Sequence, residues 1–549
     1  MKKVDYKTRL FHVFAVSSLI LGSLGATAAI AYTPITSSVF TQAAEPSESA
    51  LANEDTERTI TIHKYDGGKG TADPTGTETD AANLGARKPL ANISFSVVKI
   101  SAADKTKKMS ADDPSSYTVD ETTKKVVTTD DEGSATANLG KGTAADGYYL
   151  VTELTSSSVT GTVAPFIVRV PLTQKNAETG TPSLLYDVNV YPKNETKDVD
   201  LQPVKTFSGS GAGQTESVKA GANVSWDLKV ATPADIYTPA DPETENPETY
   251  AKGLVISDPV DKSSLDSPKV DSVTLDGGPS TGTVLEKTTD YTETSADQTL
   301  NNHAYTVVQI SLTKAGMKKA AGSTSIIATL TTTTKASGSD ATIVNTFDSY
   351  YTQSTGILTH NTTINEGNIT TDPKNPDDPS TPDVPTDPNN VPDNPAVEFG
   401  NIDVLKTDDT SAAKPLENAS FRIAESEDKA KLGDWVKDNA GKVITVTTDA
   451  QGKGEFTGLA VDPTTGKQDY YLVETDAPAG YDIDGKIYKV TATQDTDVDA
   501  TVKDADNMLP NLPMTGSDAR LLLLVTATVL IVGSGSALYI KRRRNQEQD

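Results

Sequence analysis

The heptapeptide YYLVTEL, residues 148–154, has the pattern of a β-strand that carries an acid on its apolar face. Successive side chains of a strand point to opposite faces, so Tyr149, Val151 and Glu153 are expected to lie together. A carboxyl group in that position is costly to bury in its charged form and tends to stay protonated. The stretch YYLVETD at residues 470–476 repeats the pattern. The two stretches predict two related β-domains, each with an acid facing its core.

Two further pairs of stretches surround these strands in the same order. KPLANISF (88–95) resembles KPLENASF (414–421), and TTDDEGSATANL (128–139) resembles TTDAQGKGEFTGL (447–459). Three matches in one order, at nearly constant spacing, indicate a divergent duplication. We therefore expect the first and last folded regions to share a fold, and the region between them to be a different domain.

Short alternating segments separated by Gly, Asp and Asn turns dominate the chain, and long amphipathic helical patterns are nearly absent. This pattern is typical of antiparallel sheets. We predict an all-β chain built from β-sandwiches in tandem. The predicted sandwiches are an N-terminal domain at 58–196, a middle domain at 201–370 and a C-terminal domain at 397–511.

Residues 371–396 differ from the sandwiches in composition. From Pro373 to Pro388 a proline recurs at every third position, among Asp, Asn and Thr. That spacing favours extended polyproline II, which acts as a semi-rigid spacer. Proline donates no hydrogen bond to a β-ladder, so a core strand is excluded there. The stretch is predicted to be a linker between the middle and C-terminal domains.

The two ends of the chain have the features of export and membrane retention. A basic start precedes the apolar run 10–30, which predicts a secretory signal peptide at residues 1–31, with cleavage as late as residue 43 as an alternative. A retained N-terminal membrane helix is the other interpretation. Near the C-terminus, Leu521–Ile540 is long enough to span a bilayer. The basic cluster Lys541–Arg544 follows it and is expected to stay on the cytoplasmic side.

Composition excludes several classes of function. The chain has 549 residues, a net charge of −27 and no cysteine. A surface this acidic excludes extended nucleic-acid binding, and an exported chain without disulfides needs another source of stability. Only His63, His303 and His360 remain after signal removal, and none has metal-ligand spacing. No nucleophile elbow, P-loop or dinucleotide fingerprint occurs, so we predict no enzyme, no cofactor and no metal ligands. A calcium site at an aspartate run such as Asp130-Asp131-Glu132 stays open as an alternative to a hairpin turn.

The pentapeptide LPMTG stands just before the apolar span and the basic tail. It resembles the cell-wall sorting signal of Gram-positive surface proteins, which sortases recognise. The resemblance implies that residues 512–549 are a sorting signal and that a sortase cysteine attacks the carbonyl of Thr515, after which an amine takes the acyl group. A plain single-pass anchor is the alternative. The residues of the motif are Leu512, Pro513, Met514, Thr515 and Gly516.

The tetrapeptide VYPK, residues 190–193, resembles the pilin motif of Gram-positive shaft pilins, at the end of the first domain as in that family. The resemblance implies an amide between Thr515 of one subunit and an exposed, mobile Lys193 of the next. The expected product is a covalently polymerised surface pilus anchored in the wall. The implied partners are pilus-specific and housekeeping sortases, other copies of the chain, minor pilins, peptidoglycan and a host receptor.

Two alternatives to the shaft subunit remain open at this point. Lys193 is, in one of them, only a solvated lysine at the end of a strand. In the other, the chain is an adhesin that is displayed singly on the wall and binds a host ligand. A singly displayed adhesin does not need the VYPK motif, whereas a shaft subunit does.

The C-terminal domain resembles the collagen-adhesin B-type module of pilins and adhesins, an Ig-like sandwich. Its marks are Lys406 on the first strand, the acid Glu474, and APAGY at 477–481. The resemblance implies that a neutral Lys406 amine attacks an asparagine carboxamide polarised by protonated Glu474, and that ammonia leaves. We choose Asn507 as the acceptor, with Asp504 and loss of water as the alternative. A buried Lys–Glu ion pair is the other interpretation.

The other two sandwiches resemble the first two domains of shaft pilins, of the A- and B-types, where similar trios form internal isopeptide bonds. In each trio the acid promotes the bond between the lysine and the asparagine. A surface Lys with turn residues is the alternative for the middle domain, and the first domain lacks the APxGY stretch. The implied trios are Lys205, Asp258 and Asn345 in the middle domain, and Lys64, Glu153 and Asn194 in the first.

Overall fold

The computed structural model describes most of the exported part of the chain. The described ranges are 52–68, 75–175, 182–209, 215–243, 245–335, 342–364, 369–370, 377–386, 394–494 and 498–506. The predicted signal peptide, the sorting signal 512–549 and Asn507 lie outside these ranges. Within the described ranges no helix is long and apolar enough to cross a membrane.

The first domain is a sandwich of two sheets. One sheet has the order β10-β1-β5 and the other the order β4-β3-β6-β7. Alternating apolar residues of both sheets form the core, which includes Ile60, Ile62, Phe95 and Val151. The strands are β1 (Glu57–His63), β2 (Tyr65–Asp66), β3 (Ser94–Ala102), β4 (Tyr117–Thr128), β5 (Ser134–Lys141), β6 (Gly147–Glu153), β7 (Phe166–Val170), β8 (Leu172–Lys175), β9 (Pro182–Leu185), β10 (Asp187–Val190) and β11 (Lys193–Asn194).

The middle domain is a larger sandwich with its own core. Its sheets have the orders β12-β14-β21-β18 and β19-β20-β17-β23-β24, and they enclose Trp226, Leu330 and Ile310. A short helix, α1 (Lys314–Ala320), begins at Thr313, whose side chain accepts a hydrogen bond from the backbone of Gly316.

Sixteen short elements make up the strands of this domain. They are β12 (Val204–Phe207), β13 (Thr215–Ser217), β14 (Asn223–Ala231), β15 (Tyr237–Thr238), β16 (Thr249–Tyr250), β17 (Gly253–Asp261), β18 (Leu265–Asp276), β19 (Tyr291–Leu300), β20 (His303–Leu312), β21 (Ser325–Thr334), β22 (Thr342–Val344), β23 (Asp348–Thr352), β24 (Leu358–Thr362), β25 (Ile369–Thr370), β26 (Val384–Pro385) and β27 (Ala396–Glu398).

The third domain repeats the plan of the first. Its sheets have the orders β31-β28-β34 and β30-β29-β32-β33, around a core that includes Phe421, Phe456 and Leu472. Helix α2 (Glu427–Leu432) leads out of β29. The strands are β28 (Gly400–Asp408), β29 (Ser420–Ala424), β30 (Val446–Thr447), β31 (Lys453–Leu459), β32 (Gln468–Asp476), β33 (Ile487–Ala492) and β34 (Val498–Asp504).

The predicted all-β class and the duplication are confirmed by the pairing of the strands. In the first domain the opening strand β1 runs parallel to β10 and antiparallel to β5. In the third domain the opening strand β28 runs parallel to the last strand β34 and antiparallel to β31. Parallel pairing of first and last strands brings the two ends of each domain side by side.

The prediction that residues 371–396 form a spacer between domains is wrong for their described part. Val384 is buried against Leu300, Tyr305 and Val307 of the middle domain, and the carboxylate-bearing Asp383 is buried as well. We call residues 377–386 the strap. Its prolines are compatible with this position because β26 forms only a two-residue pair at an edge.

The boundary between the middle and third domains also lies later than predicted. Strand β27 pairs with β13 and β22 of the middle domain, although the C-terminal domain was expected to start at residue 397. Val397 and Phe399 belong to the middle core. Only Phe399 separates β27 from β28, so the two domains are joined without a spacer.

Candidate functional site

Among the described residues three lysines are buried, one in each domain. Lys64 and Lys406 are 0% exposed and Lys205 is 2% exposed, which is rare for lysine unless it is paired. Each amine lies over an aromatic ring, 5.6–5.9 Å from the ring centroid. The rings are those of Phe95, Trp226, Phe347 and Phe421. The sequence motifs indicated the three lysines but gave no sign of these aromatic rings.

In the third domain Lys406 lies between two carboxyl groups. Lys406 is in β28, and Asp504 ends the parallel strand β34. The Nζ atom of Lys406 lies 2.9 Å from Oε2 of Glu474 and also contacts Oδ1 of Asp504. All three side chains are fully buried. The structure therefore places Asp504 at the acceptor position, while the first choice, Asn507, lies outside the described residues.

The electrostatics of this site favour a proton on a carboxyl group. Burial raises the pKa of Glu474 to about 7, and contact with Lys406 opposes that shift. Among the described residues, Oε1 of Glu474 and Oδ2 of Asp504 are buried without a hydrogen-bond partner. A charged carboxylate with an unpartnered oxygen is costly in such an environment. The site can therefore hold one protonated carboxyl group beside an amine, which is the arrangement that acid-assisted amide formation requires.

In the first domain Glu153 lies between an amine and an amide. Lys64 directly follows β1, and its Nζ atom lies 2.8 Å from Oε2 of Glu153. Nδ2 of Asn194 donates a hydrogen bond to Oε1 of the same carboxylate. Burial lowers the pKa of Lys64; contact with Glu153 opposes this shift, and Lys193 lowers the pKa further. The trio predicted from the sequence is thus brought together, with the amine biased towards its neutral, nucleophilic form.

The first and third domains hold these lysines in the same backbone frame. The backbone N–H of Lys64 donates to the carbonyl of Gly133 at 2.7 Å, and its carbonyl accepts from Leu90 at 2.9 Å. Gly133 has φ of +71°, and a Cβ atom there would lie 2.5 Å from the carbonyl oxygen of Lys64, so only glycine fits. The same contacts recur in the third domain between Lys406, Gly452 and Leu416, at 2.7 and 3.0 Å.

In the middle domain Lys205 contacts Oδ2 of Asp258, and its Nζ atom also donates to the carbonyl of Thr346 at 3.2 Å. Burial lowers the pKa of Lys205 to about 8, and burial raises the pKa of Asp258. Asn345 is buried beside Asp258, and its Nδ2 atom lacks a hydrogen bond of normal geometry. The structure thus brings the predicted trio together, with an amine that deprotonates readily.

Lys193 is less exposed than its position at a strand end suggested. Strand β11 pairs in parallel with β2, and Nζ of Lys193 donates to the carbonyl of Tyr191 at 2.9 Å. Its side chain is half-buried, and this burial, with the nearby charge of Arg87, lowers the pKa of the Lys193 amine. The expectation of a freely mobile amine is therefore wrong, because the short β11–β2 pair holds the residue at the domain edge.

One further cluster of ionisable side chains escaped the sequence analysis. Nε2 of His360 lies 3.0 Å from Oδ2 of Asp348 and 3.9 Å from Oδ2 of Asp383. No histidine has metal-ligand spacing in the local sequence, but the fold brings His360 next to two carboxylates that are distant in the sequence. Asp383 belongs to the strap, and the proline-rich composition of that segment gave no sign that it packs on the middle domain.

Two parts of the chain match protein-family models. Residues 55–195 match the model of the N-terminal domain of Gram-positive pilin subunit D1. Residues 400–506 match the SpaA model, which is described as a prealbumin-like fold domain. The two matched ranges correspond to the first and third domains, in which Lys64 and Lys406 are buried.

Curated relatives cover most of the chain. Fimbrial subunit type 1 of Actinomyces viscosus is 25% identical over 549 residues, which cover 91% of this chain and 93% of that protein. Fimbrial subunit type 2 of Actinomyces naeslundii is 26% identical over 432 residues, which cover 73% of this chain and 71% of that protein.

Solved structures of pilins match over a similar share. The full-length major pilin SpaD from Corynebacterium diphtheriae is matched at 22% identity and a TM-score of 0.36, over 84% of this chain and 100% of that one. The full-length RrgB pilus protein from Streptococcus pneumoniae is matched at 16% identity and a TM-score of 0.39, over 84% and 100%.

Proposed function

We propose that this chain, whose first domain matches a Gram-positive pilin domain and which is similar to a fimbrial subunit, is a major pilin that forms a pilus shaft through an amide between Thr515 of one copy and Lys193 of the next. The chain is a structural pilus subunit at the cell surface. In this proposal a sortase joins Thr515 to Lys193, and the finished pilus is attached to peptidoglycan. The LPMTG motif supports the sortase step, since it precedes an apolar run and a basic tail.

The observation that carries the link is the placement of Lys193 at the edge of the first domain. Burial lowers its pKa, so a larger fraction of the amine is neutral at the pH of the cell surface. Among the described residues, the Nζ atom of Lys193 donates only to the carbonyl of Tyr191 in its own segment, and an arriving acyl-enzyme can displace this hydrogen bond without unfolding the domain. The amine then attacks the thioester carbonyl of Thr515, the carbon–sulfur bond breaks, and the sortase cysteine is released.

The buried lysines support a second covalent feature, an internal amide in each domain. In the first and middle domains the lysine amine attacks the carboxamide carbon of Asn194 or Asn345, and ammonia leaves. In the third domain the amine of Lys406 attacks the carboxyl carbon of Asp504, and water leaves. The neighbouring acid carries the proton from the attacking amine to the leaving group. Each bond consumes its own lysine, so the chain reacts once at each site and is not a turnover enzyme.

The link between subunits is tested by blotting cell-wall extracts under denaturing conditions. We expect the wild-type chain to give a ladder of covalent polymers. Lys193→Arg keeps the positive charge but replaces the amine with a guanidinium group that is not deprotonated in proteins, so the ladder should vanish while monomers still reach the wall. Lys197→Arg is the matched control, because Lys197 is exposed and lies four residues away.

The outcomes separate the competing functions. A ladder that persists in Lys193→Arg would contradict the role of Lys193 and leave the sorting step in place. A wild-type chain that reaches the wall only as a monomer would favour a singly displayed adhesin.

A further inference from the structure

Three side chains of the middle domain form a cluster that the covalent chemistry does not use. Asp348 opens β23 and His360 lies in the antiparallel neighbour β24, where it pairs with Tyr350. Asp383 comes from the strap, which lies across the same sheet and also contacts β17, β19 and β20. One oxygen or nitrogen atom from each of the three side chains lies within 4.8 Å of the other two.

The two oxygens of Asp348 have different surroundings. Oδ2 accepts hydrogen bonds from the backbone N–H of Asp383 at 2.6 Å and from the hydroxyl group of Tyr350 at 3.3 Å. Among the described residues, Oδ1 of Asp348 is buried without a hydrogen-bond partner, in a side chain that is 0% exposed. A buried carboxylate oxygen without a donor costs free energy, so this oxygen has a lone pair that is free to bind a cation.

The charges of the cluster do not balance. Asp348 and Asp383 are both buried, and among the described residues no Lys or Arg forms an ion pair with either of them. His360 supplies at most one positive charge. Asp377 of the strap adds further negative potential at His360. A divalent cation would neutralise the two carboxylates and satisfy Oδ1 of Asp348.

The geometry also suits a metal ion. Zinc binds imidazole nitrogen and carboxylate oxygen at about 2.0–2.2 Å, so ligand atoms separated by the 3.0 and 3.9 Å measured here can share one ion. The imidazole of His360 stacks on Tyr350 with ring centroids 4.3 Å apart and planes at 8°. This stacking fixes the orientation of the imidazole, as neighbours of metal-binding histidines commonly do.

The donor set selects the kind of ion. Calcium and magnesium prefer oxygen ligands alone, whereas one imidazole and two carboxylates suit first-row transition ions. We propose that Asp348, His360 and Asp383 bind one Zn²⁺ ion, which joins the strap to strands β23 and β24. The site contains neither Lys193 nor any of the three buried lysines, so its test does not depend on the pilus link.

Zinc binding is tested on the full exported chain, purified without a histidine tag and stripped with a chelator. Titration calorimetry and elemental mass spectrometry should show one Zn²⁺ per chain, with Ca²⁺ and Mg²⁺ binding much more weakly. His360→Gln removes one ligand and should weaken zinc binding more than tenfold. His303→Gln is the matched control, because His303 is an exposed histidine of the same domain, and it should bind as the wild type does.

A second measurement reports on the strap itself. Zinc should slow proteolytic cleavage within residues 377–386 in the wild type and in His303→Gln, and should have no effect on cleavage in Asp383→Asn. Asp383→Asn removes a ligand from the strap and leaves the sandwich core intact. Absence of zinc binding in the wild type, or binding that is unchanged in His360→Gln, would overturn the proposal and leave the cluster as a hydrogen-bonded network.

Discussion

The first and third domains hold their lysines in the same backbone frame but surround them with different charges. Lys64 has one carboxylate partner among the described residues, Glu153, which also accepts a hydrogen bond from Asn194. Lys406 contacts two carboxyl groups, those of Glu474 and Asp504. The two copies share the frame, with its glycine at positive φ, but the proposed acceptor is an amide in the first domain and a carboxyl group in the third. The comparison indicates that the buried amine, rather than one particular acceptor, is the fixed part of the site.

The largest expected effect comes from removal of the promoting acid. The proposed amide closes a loop of 98 residues in the third domain, between Lys406 and Asp504, and one of about 130 residues in the first, between Lys64 and Asn194. Loops of these lengths give nearly equal entropic stabilisation of the folded state, about 5 kcal/mol. Both Glu153→Ala and Glu474→Ala should lose that amount, because no bond forms. Glu153→Ala should lose about 3–5 kcal/mol more, because it leaves a buried ammonium group unpaired, whereas Lys406 keeps Asp504.

Hydrogen exchange followed by mass spectrometry measures this difference domain by domain. Glu153→Gln and Glu474→Gln are matched controls that keep the side-chain volume. Equal losses of stability in the two domains would contradict the importance of the second carboxyl group.

The next largest effect is expected in variants that cannot form the internal amide. Their free energy of unfolding should change with pH in opposite directions in the first and third domains. In Asp504→Ala, burial still raises the pKa of Glu474. A raised folded-state pKa of an acid stabilises the domain at low pH, and this contribution is lost as the pH rises from about 5 to 7. In Asn194→Ala, burial lowers the pKa of Lys64. A lowered folded-state pKa of a lysine stabilises the domain at alkaline pH, where the amine is neutral, and this stabilisation is lost as the pH falls.

Each pH series needs a reference that lacks only the titrating group. Asp504→Ala is compared with Asp504→Ala plus Glu474→Gln, and Asn194→Ala with Asn194→Ala plus Lys64→Met. The difference in free energy of unfolding within each pair should fall with rising pH for Glu474 and rise for Lys64. A common sign in the two domains would refute the assignment of the burial effects.

The smallest expected effect is that of exchanging the acceptors. Asp504→Asn should lose ammonia instead of water, and Asn194→Asp should lose water instead of ammonia. In both cases the product is the same amide, so the intact mass of the bonded variant should equal that of the bonded wild type. The wild type itself should be lighter than its sequence by one water and two ammonia molecules. Asp504→Ala is the control, since it should keep the water.

A mass difference between Asp504→Asn and the wild type would show that Lys406 does not react at this position. Loss of ammonia, instead of water, from the third domain of the wild type would point to Asn507 as the acceptor.

Much of the fold and of the lysine sites could be predicted from the sequence, because strand alternation fixes which face a residue occupies. The parity of Tyr149, Val151 and Glu153 predicted a buried acid correctly, and the repeat of that stretch predicted the duplicated domain. Strand alternation also favours Asp504 over Asn507 as the acceptor in the third domain. Ala500, Val502 and Asp504 share one face of β34, and the first two are buried, whereas Asn507 has the opposite parity.

Other features depend on contacts between segments far apart in sequence, and alternation carries no information about these. The strap has the composition of a linker, and only its burial against Leu300 and Tyr305 reveals its place in the middle domain. The partial burial of Lys193 results from a two-residue pair with β2, which is too short to leave a pattern. The cluster of His360 with Asp348 and Asp383 requires the strap to be in place.

The position of the strap along the chain determines how a pulled pilus would yield. Force that enters a subunit at Lys193 and leaves at Thr515 follows the shortest covalent route. With the proposed amides in place, that route crosses from Lys205 to Asn345 and from Lys406 to Asp504, so residues 206–344 and 407–503 carry no load. The stretch 346–405, which contains the strap, remains in the route, and it spans about 200 Å when fully extended. This stretch is the part of each subunit that lengthens under load, and it does so only after two kinds of contact have opened. These are the pairing of β23 with β17 and of β27 with β13 and β22, and the contacts of Asp348 and Asp383 with His360.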